Sequence, residues 1–475
     1  MRVDIQVHPK AKVKQEMDDS IFKAYDIRGV YPEQVDEEAA WKIGHAAAQF
    51  LRSLLTGYAR GQANAQSVIV GRDMRTHSES LAQACIAGMK GSGANVIDIG
   101  MIDTPQIYFA INHLGTCGGV QVTASHNPAR YNGFKISGME ARPVGSQTGL
   151  LEIKHIATAL KHTRTVGNGQ ETSADLTEPY RRHVLSFLRT HQKRLKVVVD
   201  ASNGMAGKWV PLIFGDVSRL ELTGLNMTCD GTFKHEPNPL VEANLTELKQ
   251  TVRDQGADVG ICFDGDADRL IVVDEQGETV ACDLLTALYA AAFLEKQPGS
   301  TVVYDLRSSW ALKEEIVKHG GQPRRERVGH VFMKKALKDA KAIFGGELSG
   351  HFYYGDNFYA DSGMITLSHL LNILSAHEEP LSELIKPLRR YPSSGEMNFE
   401  VDDKAGMMEE LTRRYHDADI DKLDGVTVQY QDWWFNCRAS NTEPLLRLNV
   451  EARQEGLLAE KVGELKGLLG EPVAH

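Results

Sequence analysis

The chain of 475 residues is 42% hydrophobic and 24% charged, and its formal net charge is -10 at pH 7. This length exceeds what one hydrophobic core usually supports, so we expect a globular protein of three or four domains. The acidic balance argues against a protein that binds nucleic acid nonspecifically, whereas a small anionic ligand could still bind in a locally basic cleft.

Targeting and redox signals are weak in this sequence. Residues 1–20 predict a loose polar leader that lacks the apolar segment of a signal peptide. The most apolar later run, residues 284–294, is too short to cross a bilayer. The 6 cysteines form no Cys-x-x-Cys pair, which is typical of reduced thiols. We therefore predict a cytoplasmic protein with no nucleic-acid and no membrane partner.

Strands and helices alternate in the first part of the chain. The pattern predicts strands at 21–30, 67–73, 95–100 and 118–122 and helices at 37–58, 78–90 and 104–114. Such alternation is typical of a mainly parallel sheet, in which functional residues gather at the carboxyl ends of the strands. The hexapeptide Thr-Ala-Ser-His-Asn-Pro at 123–128 follows the last of these strands.

Ser125 is the first candidate for chemistry. Pro128 prevents a regular helix, so the serine is presented on a turn at a strand end, with His126 beside it. Lys135 follows shortly, after an Asn-Gly pair that predicts a tight turn. A hydroxyl, an imidazole and an ammonium group brought together would suit the transfer of an anionic group. On these residues alone, a solvated polar loop is the alternative.

The alternation of strands and helices resumes twice. Strands at 196–200 and 257–263 with a helix at 245–254 precede an aspartate-rich loop, and strands at 301–305 and 342–344 with helices at 284–295 and 310–319 precede a Gly-Glu loop. From about residue 396, a helix at 407–415 is followed by strand-like runs at 426–430, 433–436 and 445–450 and by a helix at 457–469. Adjacent strands with helices at the ends are typical of an antiparallel α+β domain.

The predicted fold is therefore three related mixed-sheet α/β domains followed by a C-terminal antiparallel α+β domain, around a central cleft. The predicted domains are 1–170, which carries the serine loop, 171–279, which carries the aspartates, 280–391, which carries the Gly-Glu loop, and 392–475. The first 20 residues are the loose leader.

Asp264, Asp266 and Asp268 alternate, so their carboxylates point to one side of an extended backbone and repel one another. A divalent cation would relieve that repulsion, and magnesium fits best. A calcium EF-hand is excluded, because Arg269 stands where that loop needs glycine and because strand-like runs flank the loop. A solvated acidic turn remains the other alternative. Arg269 could pair with phosphate oxygens.

Glu347, Ser349 and His351 alternate in the same way after paired glycines. A glutamate and a serine on one side could exchange hydrogen bonds with neighbouring sugar hydroxyls. A polar rim loop is the alternative. His330 by itself predicts an ordinary surface histidine.

Four stretches, taken in order, carry a family resemblance. They are Thr-Ala-Ser-His-Asn-Pro at 123–128, Asp-Gly-Asp-Ala-Asp-Arg at 264–269, Gly-Glu-Leu-Ser-Gly-His at 346–351 and Arg-Ala-Ser-Asn-Thr-Glu-Pro at 438–444. Together they resemble the motifs of the alpha-D-phosphohexomutase family, and most closely its bacterial phosphomannomutase/phosphoglucomutase branch. The likeness extends from about residue 22 to 450, and four ordered motifs are far more specific than any one of them.

The resemblance implies a reversible transfer of phosphate between O1 and O6 of mannose or glucose phosphate. The transfer would proceed through a phosphorylated Ser125 and a hexose 1,6-bisphosphate, which serves as intermediate and activator. One Mg²⁺ per chain would be held by Ser125 and the three aspartates.

The resemblance also implies roles for residues around the cleft. The catalytic set is Ser125, His126, Lys135, Arg269 and His330, with Lys135 or His330 as the proton carrier. The substrate-binding set is Tyr25, Arg28, Arg307, Glu347, Ser349, His351, Arg438, Ser440, Asn441 and Thr442. Many relatives carry lysine around the position of Arg307, and an arginine there hardly acts as a base.

Three alternatives to this function, and one to the role of Arg438, stay open. A phosphoglucosamine mutase is disfavoured by Leu348 and Asn441, where such relatives usually show glutamine and glycine. A serine-dependent sugar phosphatase would have little use for the loop at 438–444, which the resemblance implies holds the phosphate that is not reacting. A non-catalytic sensor would be expected to lose Ser125 or an aspartate. Arg438 could instead pair with a carboxylate across a domain interface.

Overall fold

Four β-sheets with flanking helices build the chain in the computed structural model, which describes residues 17–55, 64–161, 167–189, 193–440 and 445–473. The first sheet has 6 strands and the others have 5 each. The first three sheets are mixed and the last is antiparallel, which confirms the predicted fold class.

The first sheet has the order β1-β5-β4-β2-β3-β6. Its strands are β1 (Ile27–Val30), β2 (Ser67–Arg72), β3 (Asn95–Met101), β4 (Gly118–Val122), β5 (Tyr131–Gly138) and β6 (Glu171–Ser173). Its helices are α1 (Glu37–Ser53), α2 (Ser78–Gly91), α3 (Thr104–Leu114) and α4 (Leu151–Ala159). Strand β6 lies just past position 170, where the sequence places the end of the first domain.

Local capping explains where two of these elements begin. The Asp103 side chain accepts a hydrogen bond from the backbone N–H of Gln106, so α3 begins at Thr104 as predicted. The predicted strand at 21–30 is wrong in its first half, because the Asp18 side chain caps a short 3₁₀ turn over Asp19–Ile21. The predicted helix 37–58 ends at Ser53, and its last residues lie partly outside the described ranges.

The Asn-Gly pair before Lys135 does not form the predicted turn. Asn132 and Gly133 lie inside strand β5, where Gly133 faces Arg28 of β1. A Cβ atom on Gly133 would approach the carbonyl oxygen of Ile27 to 1.9 Å. Glycine is therefore needed there for the close approach of two backbones, which the sequence pattern alone does not distinguish from a turn.

The second sheet has the order β11-β10-β9-β7-β8. Its strands are β7 (Leu195–Asp200), β8 (Leu220–Leu225), β9 (Val259–Phe263), β10 (Leu270–Asp274) and β11 (Thr279–Val280). Its helices are α5 (Thr177–Leu185), α6 (Ala206–Phe214) and α7 (Thr246–Gln255).

The third sheet has the order β13-β12-β14-β15-β16. Its strands are β12 (Thr301–Asp305), β13 (Gln322–Glu326), β14 (Phe344–Gly346), β15 (Phe352–Tyr354) and β16 (Ala360–Asp361). Its helices are α8 (Cys282–Leu294), α9 (Trp310–Lys318), α10 (His330–Ala340), α11 (Gly363–Ala376) and α12 (Leu381–Ile385).

The three mixed sheets share one topology. In each sheet a central parallel strand is followed by an antiparallel neighbour, and the candidate loop connects the two: β4 to β5, β9 to β10 and β14 to β15. The serine, aspartate and Gly-Glu loops therefore occupy equivalent positions in three related units.

The last sheet is antiparallel throughout, in the order β17-β21-β20-β19-β18. Its strands are β17 (Ser393–Phe399), β18 (Asp419–Asp421), β19 (Val426–Gln429), β20 (Trp433–Ala439) and β21 (Leu446–Ala452), and its helices are α13 (Lys404–Arg414) and α14 (Glu455–Leu469). One hydrophobic cluster joins the first three units, whereas the fourth sheet packs on a separate core. In the described ranges, every helix is too short or too polar to cross a lipid bilayer.

Candidate active site

A cleft of about 1130 Å³ collects side chains from all four units. The described residues of the predicted catalytic and substrate-binding sets all line it: Tyr25, Arg28, Ser125, His126, Lys135, Arg269, Arg307, His330, Glu347, Ser349, His351, Arg438 and Ser440. Asn441 and Thr442 lie outside the described residues. His330, which by itself predicts a surface residue, stands at the start of α10 and faces the cleft.

Ser125 is held in a strained backbone conformation at the end of β4. Its φ of 50° lies in the left-handed region, which a serine rarely adopts without support from its surroundings. Its backbone N–H donates to Oγ1 of Thr123 at 2.9 Å, and its own hydroxyl donates to Oδ2 of Asp264 at 2.7 Å. Nδ1 of His126 lies 3.3 Å from the same hydroxyl. The conformation therefore aims the hydroxyl at the aspartate loop.

Arg75 supports the serine loop, and the sequence reasoning missed it. Its guanidinium donates to the carbonyl oxygens of Ser125 at 2.8 Å and Asn127 at 2.6 Å, and also to those of Pro128 and Tyr131. Asp73 accepts from its Nε at 3.2 Å and fixes the side chain from behind. The sequence shows only that an arginine follows strand β2. Such arginines are too common to predict a contact with a loop 50 residues away.

The aspartate loop brings Asp264, Asp266 and Asp268 together, with the three carboxylates within 4.8 Å of one another. All three are buried, and Oδ1 of Asp266 has no hydrogen-bond partner in the described part of the chain. Thr104 donates to Oδ2 of Asp266 at 2.5 Å. A Cβ on Gly265 would lie 2.4 Å from the carbonyl oxygen of Ser125, so the two loops touch through their backbones.

Lys135 is the cation nearest to these carboxylates. Its Nζ donates to Asp266 at 2.7 Å and to Asp268 at 2.5 Å. Burial opposes the charged ammonium, but Asp266 and Asp268 outweigh burial and raise the pKa of Lys135. Burial, reinforced by Asp268 and Asp266, raises the pKa of Asp264 well above its ordinary value. Lys135 and Arg269, whose Nε lies 3.8 Å from Oδ2 of Asp264, do not balance three carboxylates, so the buried, unpartnered oxygen and the donor set fit a divalent metal ion.

A second group of possible ligands shares Asp268 and adds His351 and Asp361. Nε2 of His351 lies 3.3 Å from Asp268 and 3.7 Å from Asp361. Asp361 is paired with Nζ of Lys334 at 2.7 Å. Although burial opposes it, the pKa of Asp268 is held well below its ordinary value by Lys135 and His351. A lysine thus neutralises Asp361, and His351 connects Asp268 of the aspartate loop to the Gly-Glu loop.

The Gly-Glu loop is joined directly to the aspartate loop. The backbone N–H of Leu270 donates to the carbonyl oxygen of Gly350 at 3.0 Å, and Arg269 and His351 form a bridge between the loops. Glu347 is buried and accepts from the N–H of Gly329 at 3.2 Å and from the hydroxyl of Tyr353. Burial raises the pKa of Glu347.

Arg28 and His330 also line the cleft. Arg28 donates to Oδ1 of Asn127 at 2.5 Å and pairs with Asp26, so it borders the serine loop. His330 lies edge-on to Tyr25, with ring centroids 5.6 Å apart. Enclosure and the neighbouring Lys334 lower the pKa of His330 well below its ordinary value, which keeps the imidazole neutral at pH 7.

The fourth unit contributes an arginine cluster. Arg438 of β20 and Arg447 of β21 both donate to the carboxylate of Glu396 on β17, at 2.8 and 3.1 Å. Arg307, which follows β12 of the third unit, donates to the same carboxylate at 3.0 Å. Arg438 is thus paired with a carboxylate of its own unit, and the contact across the interface comes from Arg307. Glu396 and Arg447 fall in no recognisable motif, so the sequence alone does not indicate them.

Four family descriptions match the chain in order. They are phosphoglucomutase/phosphomannomutase alpha/beta/alpha domain I at residues 19–164, domain II at 178–277, domain III at 282–391 and the C-terminal domain at 396–466. These matches cover nearly the whole described chain.

Individual relatives agree with these matches. A phosphomannomutase from Vibrio cholerae is 39% identical over 459 residues, and the match covers 94% of this chain and 98% of the relative. A protein named phosphohexose mutases from Xanthomonas campestris is 39% identical over 458 residues, with the same coverage. The crystal structure of a phosphoglucomutase/phosphomannomutase family protein from Burkholderia thailandensis superimposes with a TM-score of 0.85 at 31% identity, over 96% of this chain and 99% of that one.

Proposed function

The chain belongs to the phosphoglucomutase/phosphomannomutase family of phosphate-transferring mutases, and on that premise we propose that it moves phosphate reversibly between O1 and O6 of mannose or glucose phosphate. One observation carries the proposal. The same cleft contains two places where a phosphate could be held, namely Ser125 beside the aspartates that would bind a metal ion and the three arginines of the cluster. A sugar with a phosphate at each end needs two such places at once.

In the proposed reaction the resting protein carries phosphate on Ser125. The free hydroxyl of the sugar attacks this phosphorus, the bond between phosphorus and Oγ of Ser125 breaks, and a hexose 1,6-bisphosphate forms. The bisphosphate reorients within the cleft so that its other phosphate faces Ser125. That phosphate is transferred to Oγ of Ser125, and the isomeric monophosphate leaves. Phosphate is thus conserved within each cycle, and free bisphosphate would prime an unphosphorylated chain.

The protonation states of the two histidines and of Lys135 suit this transfer. His330 is kept neutral by its enclosure, so we propose that it accepts the proton of the attacking hydroxyl. Lys135 has a raised pKa and stays protonated, so it supplies charge rather than a base. His126 also has a pKa well below its ordinary value, because of burial and of nearby Arg269 and Arg28. It can therefore share a hydrogen bond with the serine oxygen without adding charge.

We propose that the metal is one Mg²⁺, held by Ser125, Asp264, Asp266 and Asp268. When bound, it would neutralise charge on the phosphoryl oxygens and on the serine oxygen that leaves. Lys135 already bridges Asp266 and Asp268, so the side chains that would hold the ion are fixed in its absence.

Glu347→Gln is expected to weaken turnover of mannose and glucose phosphates alike, by about 5- to 150-fold, or about 1–3 kcal/mol. The reason is the loss of an acceptor for sugar hydroxyls on a side chain that Gly329 and Tyr353 hold in place. Steady-state kinetics with both substrates measure the effect, with Glu378→Gln on the surface as the matched control. Unchanged kinetics would exclude a sugar contact.

Arg438→Ala is expected to lower kcat/KM by about 30- to 1000-fold in both the 1-phosphate and the 6-phosphate direction. Arg438 is 2% exposed and lies in the arginine cluster, where we propose that the phosphate that is not reacting binds together with Ser440, Asn441 and Thr442. Kinetics in both directions test this, with Arg414→Ala on helix α13 as the control for the lost charge. A loss in one direction only would show that the cluster serves a single orientation.

Coupled assays with mannose, glucose and glucosamine phosphates test the function itself. Conversion of mannose or glucose 1-phosphate to the 6-phosphate without release of inorganic phosphate is the expected result. Turnover of glucosamine phosphate alone would instead identify a phosphoglucosamine mutase. Stoichiometric release of inorganic phosphate would identify a phosphatase.

A further inference from the structure

Glu396 is the shared acceptor of the arginine cluster. Oε2 of its carboxylate accepts from Arg438 at 2.8 Å and from Arg307 at 3.0 Å, while Oε1 accepts from Arg447 at 3.1 Å. The glutamate lines the cleft together with all three arginines. A carboxylate therefore stands among three guanidiniums at the place where the fourth unit meets the third.

The partners of Glu396 differ in how firmly they are held elsewhere. Arg307 has its own carboxylate, since Asp305 accepts from its Nε at 3.1 Å and from its Nη2 at 2.7 Å. Arg438 is 2% exposed, and its Nε has no hydrogen-bond partner in the residues that the structure describes. Arg438 thus retains a buried donor, and it can take a further acceptor more readily than Arg307, which Asp305 already holds.

The pKa shifts show that Glu396 and the arginines interact strongly. Burial lowers the pKa of Arg438, and the nearby Arg307 lowers it further. Although burial opposes ionisation of Glu396, the three arginines hold its pKa down at about 2, so the carboxylate is charged at pH 7. Glu396 is not the only anion near these guanidiniums, since Asp424 also acts on Arg438 and Asp305 on Arg307.

We propose that Glu396 is a resident anion that competes with the phosphate of the substrate for Arg438, an inference that rests on the proposed function of the arginine cluster. Carboxylate and phosphate both accept the planar fork of arginine, but phosphate carries more charge. Without substrate, Glu396 holds the cluster in place. When phosphate binds, Arg438 donates its hydrogen bond to the phosphate instead of to Glu396. Glu396 then still accepts hydrogen bonds from Arg307 and Arg447. This competition weakens the binding of phosphate to the cluster. A sugar bisphosphate can therefore dissociate from Arg438 and reorient within the cleft.

Glu396→Gln tests the inference, because the two possible roles of Glu396 predict opposite changes in the affinity for inorganic phosphate. Glutamine has nearly the same shape without the charge. Inorganic phosphate, titrated calorimetrically into the full-length protein, is expected to bind about tenfold more tightly to this variant. If Glu396 served only to position Arg438, the affinity for phosphate would fall instead. Glu410→Gln, which removes an arginine-paired carboxylate from the surface of α13, is the matched control and should leave the affinity unchanged.

Two further measurements make the test specific. In an Arg438→Ala background the gain from Glu396→Gln should disappear, which separates this group from any phosphate bound near Ser125. Glu396→Asp keeps the charge but shortens its reach, so it should give a smaller gain of about two- to threefold and serves if the glutamine variant is unstable. Equal or weaker phosphate binding in the folded variants, or a gain that persists without Arg438, would overturn the inference.

The outcome is independent of the mutase assays. If the wild type proves to be an active mutase but Glu396→Gln gains no phosphate affinity, the resident-anion inference alone fails. If the affinity rises as expected but the wild type interconverts no hexose phosphate, the proposed function fails and the anion competition remains.

Discussion

Ser125→Ala is expected to lower mutase turnover by at least about 10⁴-fold, because it removes the oxygen that, in the proposed reaction, carries the phosphate in both half-reactions. The structure supports this prediction through the strained φ of 50° at Ser125 and through the bond of its hydroxyl to Asp264. Intact-mass analysis should find one phosphate on the wild type, mapped to Ser125, and none on the variant.

Ser218→Ala, at an exposed position, is the matched control and should keep both the activity and the phosphate. The assay is run after priming with hexose 1,6-bisphosphate, so that a merely unphosphorylated wild type is not mistaken for an inactive one. If Ser125→Ala turned over at the wild-type rate under these conditions, another residue would have to be the nucleophile.

Removal of the metal is expected to lower turnover by more than about 1000-fold, and added Mg²⁺ should restore it. Asp266→Asn should weaken metal binding and turnover together, since Asp266 supplies a buried oxygen with no partner in the described residues. Calorimetric titration of the variant with Mg²⁺ measures the binding directly. Asp216→Asn, an exposed change of the same kind, is the control. Wild-type metal affinity and turnover in Asp266→Asn would contradict a metal site on these carboxylates.

The predicted elements agree with the structure where the sequence signal is local. Helix α3 begins at its Asp103 cap and ends before Gly115, whose φ of 64° suits a left-handed cap, so both ends are encoded within a few residues. The strand before Ser125 is also observed at the predicted residues, because a fully buried strand reads as an unbroken apolar run. The domain limits at 170, 279 and 391 stay predictions.

Errors arose where a local signal had two physical meanings. Asn132-Gly133 predicts a turn by composition, yet Gly133 serves the contact with Ile27 inside a sheet. His330 by itself reads as a surface histidine, whereas the family resemblance places it in the cleft, and there it lies half-buried beside Tyr25. In both positions the partner of the residue lies far away in the chain, where local spacing cannot indicate it.

The sequence by itself determined the alternation of elements, the three loops that follow apolar strands and the chemical types gathered in them, because these depend on spacing along one stretch of chain. Tertiary structure alone decided which distant groups meet. Arg75 reaches the carbonyl of Ser125 across 50 residues, and Arg307 reaches Glu396 across 89. Single arginines and glutamates are common on any soluble protein. Their function follows from the packing of separate sheets, which buries them against one another and leaves no trace in local spacing.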